Sequence, residues 1–449
     1  MLKSIGRVVA IGCFLTLIIG ENSQATENKI LETQYDFKIH GSNTVGEKFA
    51  PILLEKFLTT KGYTRVQLIR QPSPVEKRIS ATNPLRKKSV NVDLAAHGSS
   101  TGFVDLLAGN TDIAMSSRPI KPEEMSALGK IYPSIGRGEA ENIIAYDALA
   151  VVVHPDNPIN NITLGQLAAI YSGEISNWQD VGGIDARINV LARDDNSGTY
   201  DTFKKLVLKT HDKTLINSSQ RFESSQKLTK TVAENPAAIG FVGISHTQGA
   251  KVLAVANELG ARGIRPDEYT IGTEDYPLSR KLFLYFPTEN DNVMAREFVQ
   301  FVTGEQGQRL ASRADLISFF PTSSKPNLAG KEVERKYAHL ADFGKRLSVT
   351  LRLSEEGSLT SKLRRDLERL IQFKRANPHN RIVLAGFWDD PDMSQTSLQQ
   401  VESWMSVIKE VLLAQQIEPW SVHGGFLPIE NNELDSGRAM NRRVEVWTL

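Results

Sequence analysis

The sequence predicts an α/β protein, a mainly parallel sheet with helices on its faces, followed by a smaller βαβαβ domain. Three observations carry this. From 36 to about 320, short apolar runs alternate with amphipathic helical stretches. A second strand–helix pattern occupies the last hundred residues, beyond a polar stretch at 322–344. The chain of 449 residues is too long for one core and implies two or three domains.

The elements follow in order. Lys3 and Arg7, the apolar run 8–19 and Ser23-Gln24-Ala25 form an export signal with cleavage expected after Ala25. The apolar run is shorter than the roughly 18 residues of a membrane-spanning helix, so an exported chain without a transmembrane span is expected. Cys13 lies within that run, so the mature chain would hold no disulfide and no cysteine-based metal site. "FKIHGS" is a strand, and "TVGEKFAPILLEKFL" a helix with Phe49, Ile52, Leu53 and Phe57 on one face. "ALAVVVHP" and "KLFLYFP" are buried strands closed by proline. In the second pattern, "LSVTLRL", "RIVLAGF" and "NRRVEVWTL" are strands, with helices in "TSKLRRDLERLIQFKRANP" and "SLQQVESWMSVIKEVLLAQQ" and a loop at Gly424-Gly425. The stretch 322–344 is expected to be a linker with a short helix.

Charge excludes one class of function. With 53 basic and 52 acidic residues, the chain lacks the excess of Lys and Arg that nucleic-acid binding draws on. Any anion site must be local, and three segments suit one. "HGSNTVGEKF", "AHGSSTGFVDLL" and "DDNSGTYDTF" each place small hydroxyl residues at a helix start, where unpaired N–H groups and the helix dipole favour negative charge. Arg193, before the third, and Arg118, in "SSRP", would add charge-assisted bonds to a tetrahedral oxyanion. Each start taken singly is also what helix capping alone requires. Spacing does not show that the three meet. There is no GxxxxGK[ST] loop, no GxSxG elbow and no HExxH pair, and the histidines occur singly. We therefore expect no enzyme, no cofactor and no metal.

The stretches "GSNTV", "GSSTG", "DIAMSSRPI", "ITLGQLAAIYSGEISNWQDVGG", "ARDDNSGTYDTF" and "AIGFVG" resemble the PstS family of periplasmic phosphate-binding proteins over about 36–320. The resemblance implies a two-lobed binding-protein fold of type II-like form, over 26–321, closing on phosphate. Lobe one would comprise 36–146 and 283–320, and lobe two 151–277. It also implies a site: Thr44 and Val45 from the first loop, Ser99 from the second, Ser117 and Arg118 from "SSR", and Arg193, Ser197, Gly198 and Thr199 from lobe two. Where many members of that family carry an aspartate that accepts the proton of hydrogen phosphate, this chain has Ser117, whose hydroxyl can accept or donate. Sulfate or another oxyanion therefore stands as an alternative ligand.

The segment "GGFLPIENNELDSGRAMNRRVEVW" is similar to the closing pattern of OmpA-like domains, which implies a peptidoglycan-holding module over 345–449. The family's binding aspartate would fall on Asp389 (or Asp390). Its binding arginine would fall near Glu402, where the helix 397–412 has none, leaving Arg438 or Arg442 to substitute. The implied protein is an envelope or periplasmic phosphate receptor, tethered by that module to the cell wall of a Gram-negative envelope, beneath the outer membrane, and serving an ABC phosphate transporter. The alternative is an envelope structural or adhesion protein that uses the fold as scaffold.

Overall fold

The computed structural model describes residues 35–449 apart from 74, 196, 327, 329–331, 353–359 and 392–394. The signal-peptide expectation falls outside the described residues. Eleven strands form one continuous sheet. Its order is Thr64–Arg70, Glu76–Asn83, Lys88–Ala95, Phe37–Gly41, Ile113–Ser116, Ser279–Tyr285, Glu141–Val153, Ala238–Gly243, Asn189–Arg193, Gln220–Phe222, with Lys251–Val252 paired beside Glu141–Val153. The expectation of a mainly parallel sheet is corrected to a mixed one. Strand Phe37–Gly41 pairs in parallel with both neighbours, but residues 64–95 form an antiparallel meander. Strands Ser279–Tyr285 and Glu141–Val153 are antiparallel to each other and to their outer neighbours. Short turns join the meander strands, and such connections can only return antiparallel.

Strands Glu141–Val153 and Ser279–Tyr285 run between two apolar cores. One core gathers Phe37, Phe57 and Phe298, the last from helix Val293–Thr303 after the second crossing. The Phe298 ring lies tilted 5.6 Å from Phe37 and edge-on 5.4 Å from Phe57. The other core centres on Tyr171, Phe203 and Phe241, with Trp178 fully buried and its indole N–H donated to the Ala237 carbonyl at 2.9 Å. These cores define a first and a second lobe. Among the described residues, the two long strands are the sheet strands common to both, so motion of one lobe against the other bends them.

The C-terminal sheet has the order Ser323–Ser324, Lys345–Leu351, Arg443–Thr448, Ile382–Trp388, Trp420–Phe426. It corrects the βαβαβ reading, because the expected loop at Gly424-Gly425 lies in a fourth long strand, parallel to Ile382–Trp388. The pairing shifts register between Gly386 and Phe387, and Gly425 takes φ 81°, open to glycine. A Cβ at Gly424 would sit 2.3 Å from the Phe387 ring. The glycine pair is thus a bulge that seats an aromatic ring. The stretch 322–344 is likewise no free linker. Ser323–Ser324 pairs with Lys345–Leu351, and helix Arg335–Phe343 buries Tyr337 edge-on to Phe387 (4.9 Å) and Trp447 (5.4 Å).

Arg369, on helix Ser361–Ala376, joins this domain to the crossing strands. It is fully buried and donates to the carbonyls of Phe319 (2.7 Å), Gly272 (3.0 Å) and Ser348 (3.2 Å) and to Asp366 (2.9 Å). Its guanidinium lies 4.8 Å from the ring centre of Tyr146, in a crossing strand. Arg369→Met is expected to leave three buried carbonyls without donors and cost about 3 kcal/mol. Chemical denaturation checks this, with early loss of C-terminal tryptophan fluorescence as the expected signature.

Candidate functional site

The three hydroxyl-rich helix starts meet between the lobes. After strand Phe37–Gly41 the chain turns at Gly41, at φ 134°, where a Cβ would lie 2.1 Å from the Met115 carbonyl oxygen. That turn delivers Thr44 and Val45 to the π-helical turn Val45–Phe49. Gly98 donates its N–H to the Gly41 carbonyl at 2.7 Å, so the second start, helix Ser99–Leu107, is pinned to the first. From the second lobe comes helix Gly198–Phe203, capped by Ser197, whose Oγ accepts from the N–H groups of Thr199 (3.2 Å) and Tyr200 (3.4 Å).

Ser99, Ser117, Ser197, Gly198 and Thr199 are all buried. Ser99 Oγ accepts from Ser117 N at 3.0 Å and lies 3.3 Å from Ser117 Oγ. Gly198 presses against both hydroxyls: a Cβ there would stand 2.3 Å from Ser117 Oγ and 2.6 Å from Ser99 Oγ. The Thr202 hydroxyl reaches the Ser117 carbonyl at 3.4 Å. The lobes are therefore closed on one another at this point.

At the centre stands a pair that sequence reasoning missed. Arg280 and Asp147 face each other in register on the two crossing strands. Asp147 is fully buried, and its Oδ2 accepts from Arg280 Nε (2.9 Å) and Nη2 (2.6 Å). Arg280 then donates through Nη1 to Thr199 Oγ1 (3.0 Å) and through Nη2 to Thr44 Oγ1 (3.2 Å). One guanidinium thus touches a hydroxyl from each lobe. The other carboxylate oxygen, Asp147 Oδ1, is buried without a hydrogen-bond partner among the described residues. The signal was present: each of the two apolar runs contains a buried charge, Asp147 in "AYDALAVVV" and Arg280 in "LSRKLFLYF".

The arginines named from sequence stand differently. Arg118, expected as an anion ligand, has its N–H groups engaged within the protein. It bonds Glu124 at both oxygens (2.8 and 2.6 Å), Asp201 (3.0 Å), the Ser100 hydroxyl (2.9 Å) and the Pro119 carbonyl (3.1 Å). Burial opposes its charge, but Glu124 and Asp201 outweigh that and hold it more basic than an ordinary arginine. It ties the lobes together, since Asp201 lies in the second-lobe helix. Arg193 is buried and spends three donors on the Phe222 carbonyl, the Ser225 hydroxyl and the Glu223 carbonyl. Burial, with the nearby charge of Arg280, lowers its pKa, against the pull of Asp194 and Glu47.

A second contact across the lobes joins Glu47, on the first start, to His246 at 3.3 Å. Burial would raise the Glu47 pKa, but the His246 hydrogen bond and the charges of His246, Arg193 and Lys77 leave it below its ordinary value. A carboxyl whose pKa is depressed in the closed form favours closure above the usual carboxylate range and loses that contribution as pH falls through the lowered value. Ligand affinity is therefore expected to weaken on acidification below the ordinary glutamate range. Glu47→Gln should flatten that part of the pH profile, by a factor of about five or less, since the pair is partly solvent-reached. Titrations at stepped pH check it.

In the C-terminal domain, Asp389 and Arg442 come together, with Arg442 Nε 3.8 Å from Asp389 Oδ2. Arg438 does not join them: it pairs with Asp435 and donates to the carbonyls of Asn432 and Glu433. Glu402 lies 3.4 Å from His423. Among the described residues, no helix is long and apolar enough to cross a membrane.

A mixed sheet crossed by two strands, with hydroxyl-rich helix starts closing from both sides, defines a two-lobed solute-binding protein. Residues 79–306, just over half of the chain, match the family described as PBP superfamily domain, and the chain belongs to that superfamily. It is 30% identical over 268 residues to the phosphate-binding protein PstS of Borreliella burgdorferi, covering 59% of this chain and 90% of that one. It is 31% identical over 272 residues to protein SphX of Synechococcus elongatus, covering 58% and 77%. A crystal structure of an ABC-type phosphate transport receptor from Vibrio cholerae aligns with 25% identity and a TM-score of 0.48, covering 63% of this chain and 99% of that one.

Proposed function

We propose that this protein captures hydrogen phosphate between its lobes, using Thr44, Val45, Ser99, Ser117, Arg193, Ser197, Gly198, Thr199 and Arg280. The observation that carries the reading is Arg280, anchored by Asp147 and donating at once to Thr44 and Thr199. An anion held there gains donors from both lobes only in the closed form, which is what drives closure. Neutral hydroxyls and two arginines replace its hydration without crowding the site with charge. The PstS relatives, phosphate-binding by name, support phosphate as the anion.

Asp147 supplies the discrimination that Ser117 lacks. A buried carboxylate oxygen without a donor accepts the hydroxyl of hydrogen phosphate and repels fully deprotonated sulfate. In this reading the chain is a binding protein and performs no reaction. It is exported after cleavage at Ala25, hands phosphate to an ABC transporter, and is held in the envelope by its C-terminal domain, with Asp389 and Arg442 as the contact for peptidoglycan.

Calorimetric titration of the chain from Thr26 onward, freed of bound anion by unfolding and refolding, tests the central claim. Tight phosphate binding that sulfate does not displace is expected, and Asp147→Asn should narrow that preference. Absence of heat and of thermal stabilisation with phosphate, arsenate and sulfate alike would overturn it. Sedimentation with purified cell wall, with and without residues 345–449, tests the tether.

A further inference from the structure

We infer that the junction between the second lobe and the C-terminal domain holds a second site, for a small polyanion bearing two or more phosphoryl or carboxylate groups. A cavity of about 610 Å³ lies there, walled by Asn161, Arg262, Arg265 and Tyr269 from the lobe and by Arg346 and Met440 from the C-terminal domain. That volume falls among small-molecule sites of about 300–1,000 Å³, well above what one phosphate fills.

Three guanidinium groups line it. Those of Arg262 and Arg265 have neither an ion pair nor a hydrogen bond among the described residues. Two surface arginines alone would be a solvated face, but Arg346 is not on the surface. Its side chain is 12% exposed, lies 4.3 Å from the Tyr269 ring centre and has its Nε buried without a hydrogen-bond partner. Most of the neighbouring carboxylate oxygens already have donors. Asp267 accepts the Thr270 N–H at 2.7 Å, and Asp275 pairs with Arg352 at 2.9 Å. Glu445 is shared by Arg346, Arg443 and the Tyr337 hydroxyl, and Glu430 accepts the Arg262 backbone N–H through Oε1, while its Oε2 is buried without a partner among the described residues. The cavity therefore keeps an excess of cationic donors, set for bidentate pairing with oxyanion groups. Because its walls come from two domains, a ligand spanning them also strengthens their contact.

The test titrates the full chain with pyrophosphate and, separately, with citrate, in the wild type, in the Arg262→Ala/Arg265→Ala double variant and in Gly198→Val. At least tenfold weaker binding of one or both probes in the double variant, with less than twofold change in Gly198→Val, supports the site. The probe that responds tells phosphoryl from carboxylate ligands. Both arginines are exposed, so the double variant is expected to fold and to keep its affinity for orthophosphate. Failure of both probes to bind, binding that survives in the double variant, or binding lost in Gly198→Val instead would each overturn the proposal.

Discussion

Gly198→Val is expected to weaken phosphate binding by more than about 100-fold while leaving the unliganded protein as stable as the wild type. The Cβ would stand 2.3 Å from Ser117 Oγ and 2.6 Å from Ser99 Oγ, distances that real Cβ atoms do not adopt. Neither hydroxyl can move far. Ser99 is fully buried and its oxygen is engaged by the Ser117 N–H. Relief must come from parting the lobes, which removes the donors of one side from the anion, and a 100-fold loss corresponds to about 2.7 kcal/mol. The backbone at Gly198 lies in the first turn of a helix and takes no left-handed conformation, so a side chain is tolerated when the lobes are open. Titration calorimetry alongside thermal melts without ligand checks both halves. Unchanged affinity would show that binding does not use this closed contact.

Arg280→Met should be the most damaging single change to stability near the site. It strands the Asp147 carboxylate, which is 0% exposed, without its cation, at a cost of about 3–5 kcal/mol. It also removes the donor that Thr44 and Thr199 share. The double variant Arg280→Met/Asp147→Leu separates the two effects. Replacing a buried ion pair with apolar groups of similar size is commonly neutral or stabilising, so stability should recover. Phosphate affinity should not recover, because neither the cation nor the acceptor returns. Denaturant melts and titrations on the three proteins decide this. Recovery of binding with stability would make the pair a structural brace rather than part of the seat.

How much of this was legible in the sequence depends on range. The helix start at Ser197 was readable because capping is settled within three or four residues and its hydroxyl caps the helix, whereas the helix from Ser99 is entered at Gly98 and the Ser99 hydroxyl turns to the Ser117 N–H. What Arg118 does was not readable. One partner, Glu124, lies six residues away, but Asp201 lies 83 away, and the two carboxylates together take an arginine that local reasoning assigned to an anion. Arg280 and Asp147 are 133 residues apart and meet only through strand register. The Gly424-Gly425 pair looked like a loop because glycine weakens a strand. The reason for it, the Phe387 ring packed against the bulge, belongs to a neighbouring strand.

The sequence by itself determined the α/β class, the hydroxyl-rich helix starts and the near balance of basic and acidic residues. Each is set by local backbone chemistry, by hydrophobic periodicity or by simple charge balance. Only the tertiary structure decided that Arg280 stands between Thr44 and Thr199, that Arg118 ties the lobes through carboxylates, and that the C-terminal domain is locked to the crossing strands by Arg369. Those outcomes depend on desolvation: a guanidinium buried among carboxylates, hydroxyls and carbonyls goes to whichever acceptors folding brings within about 3 Å, and sequence separation places no bound on which they are.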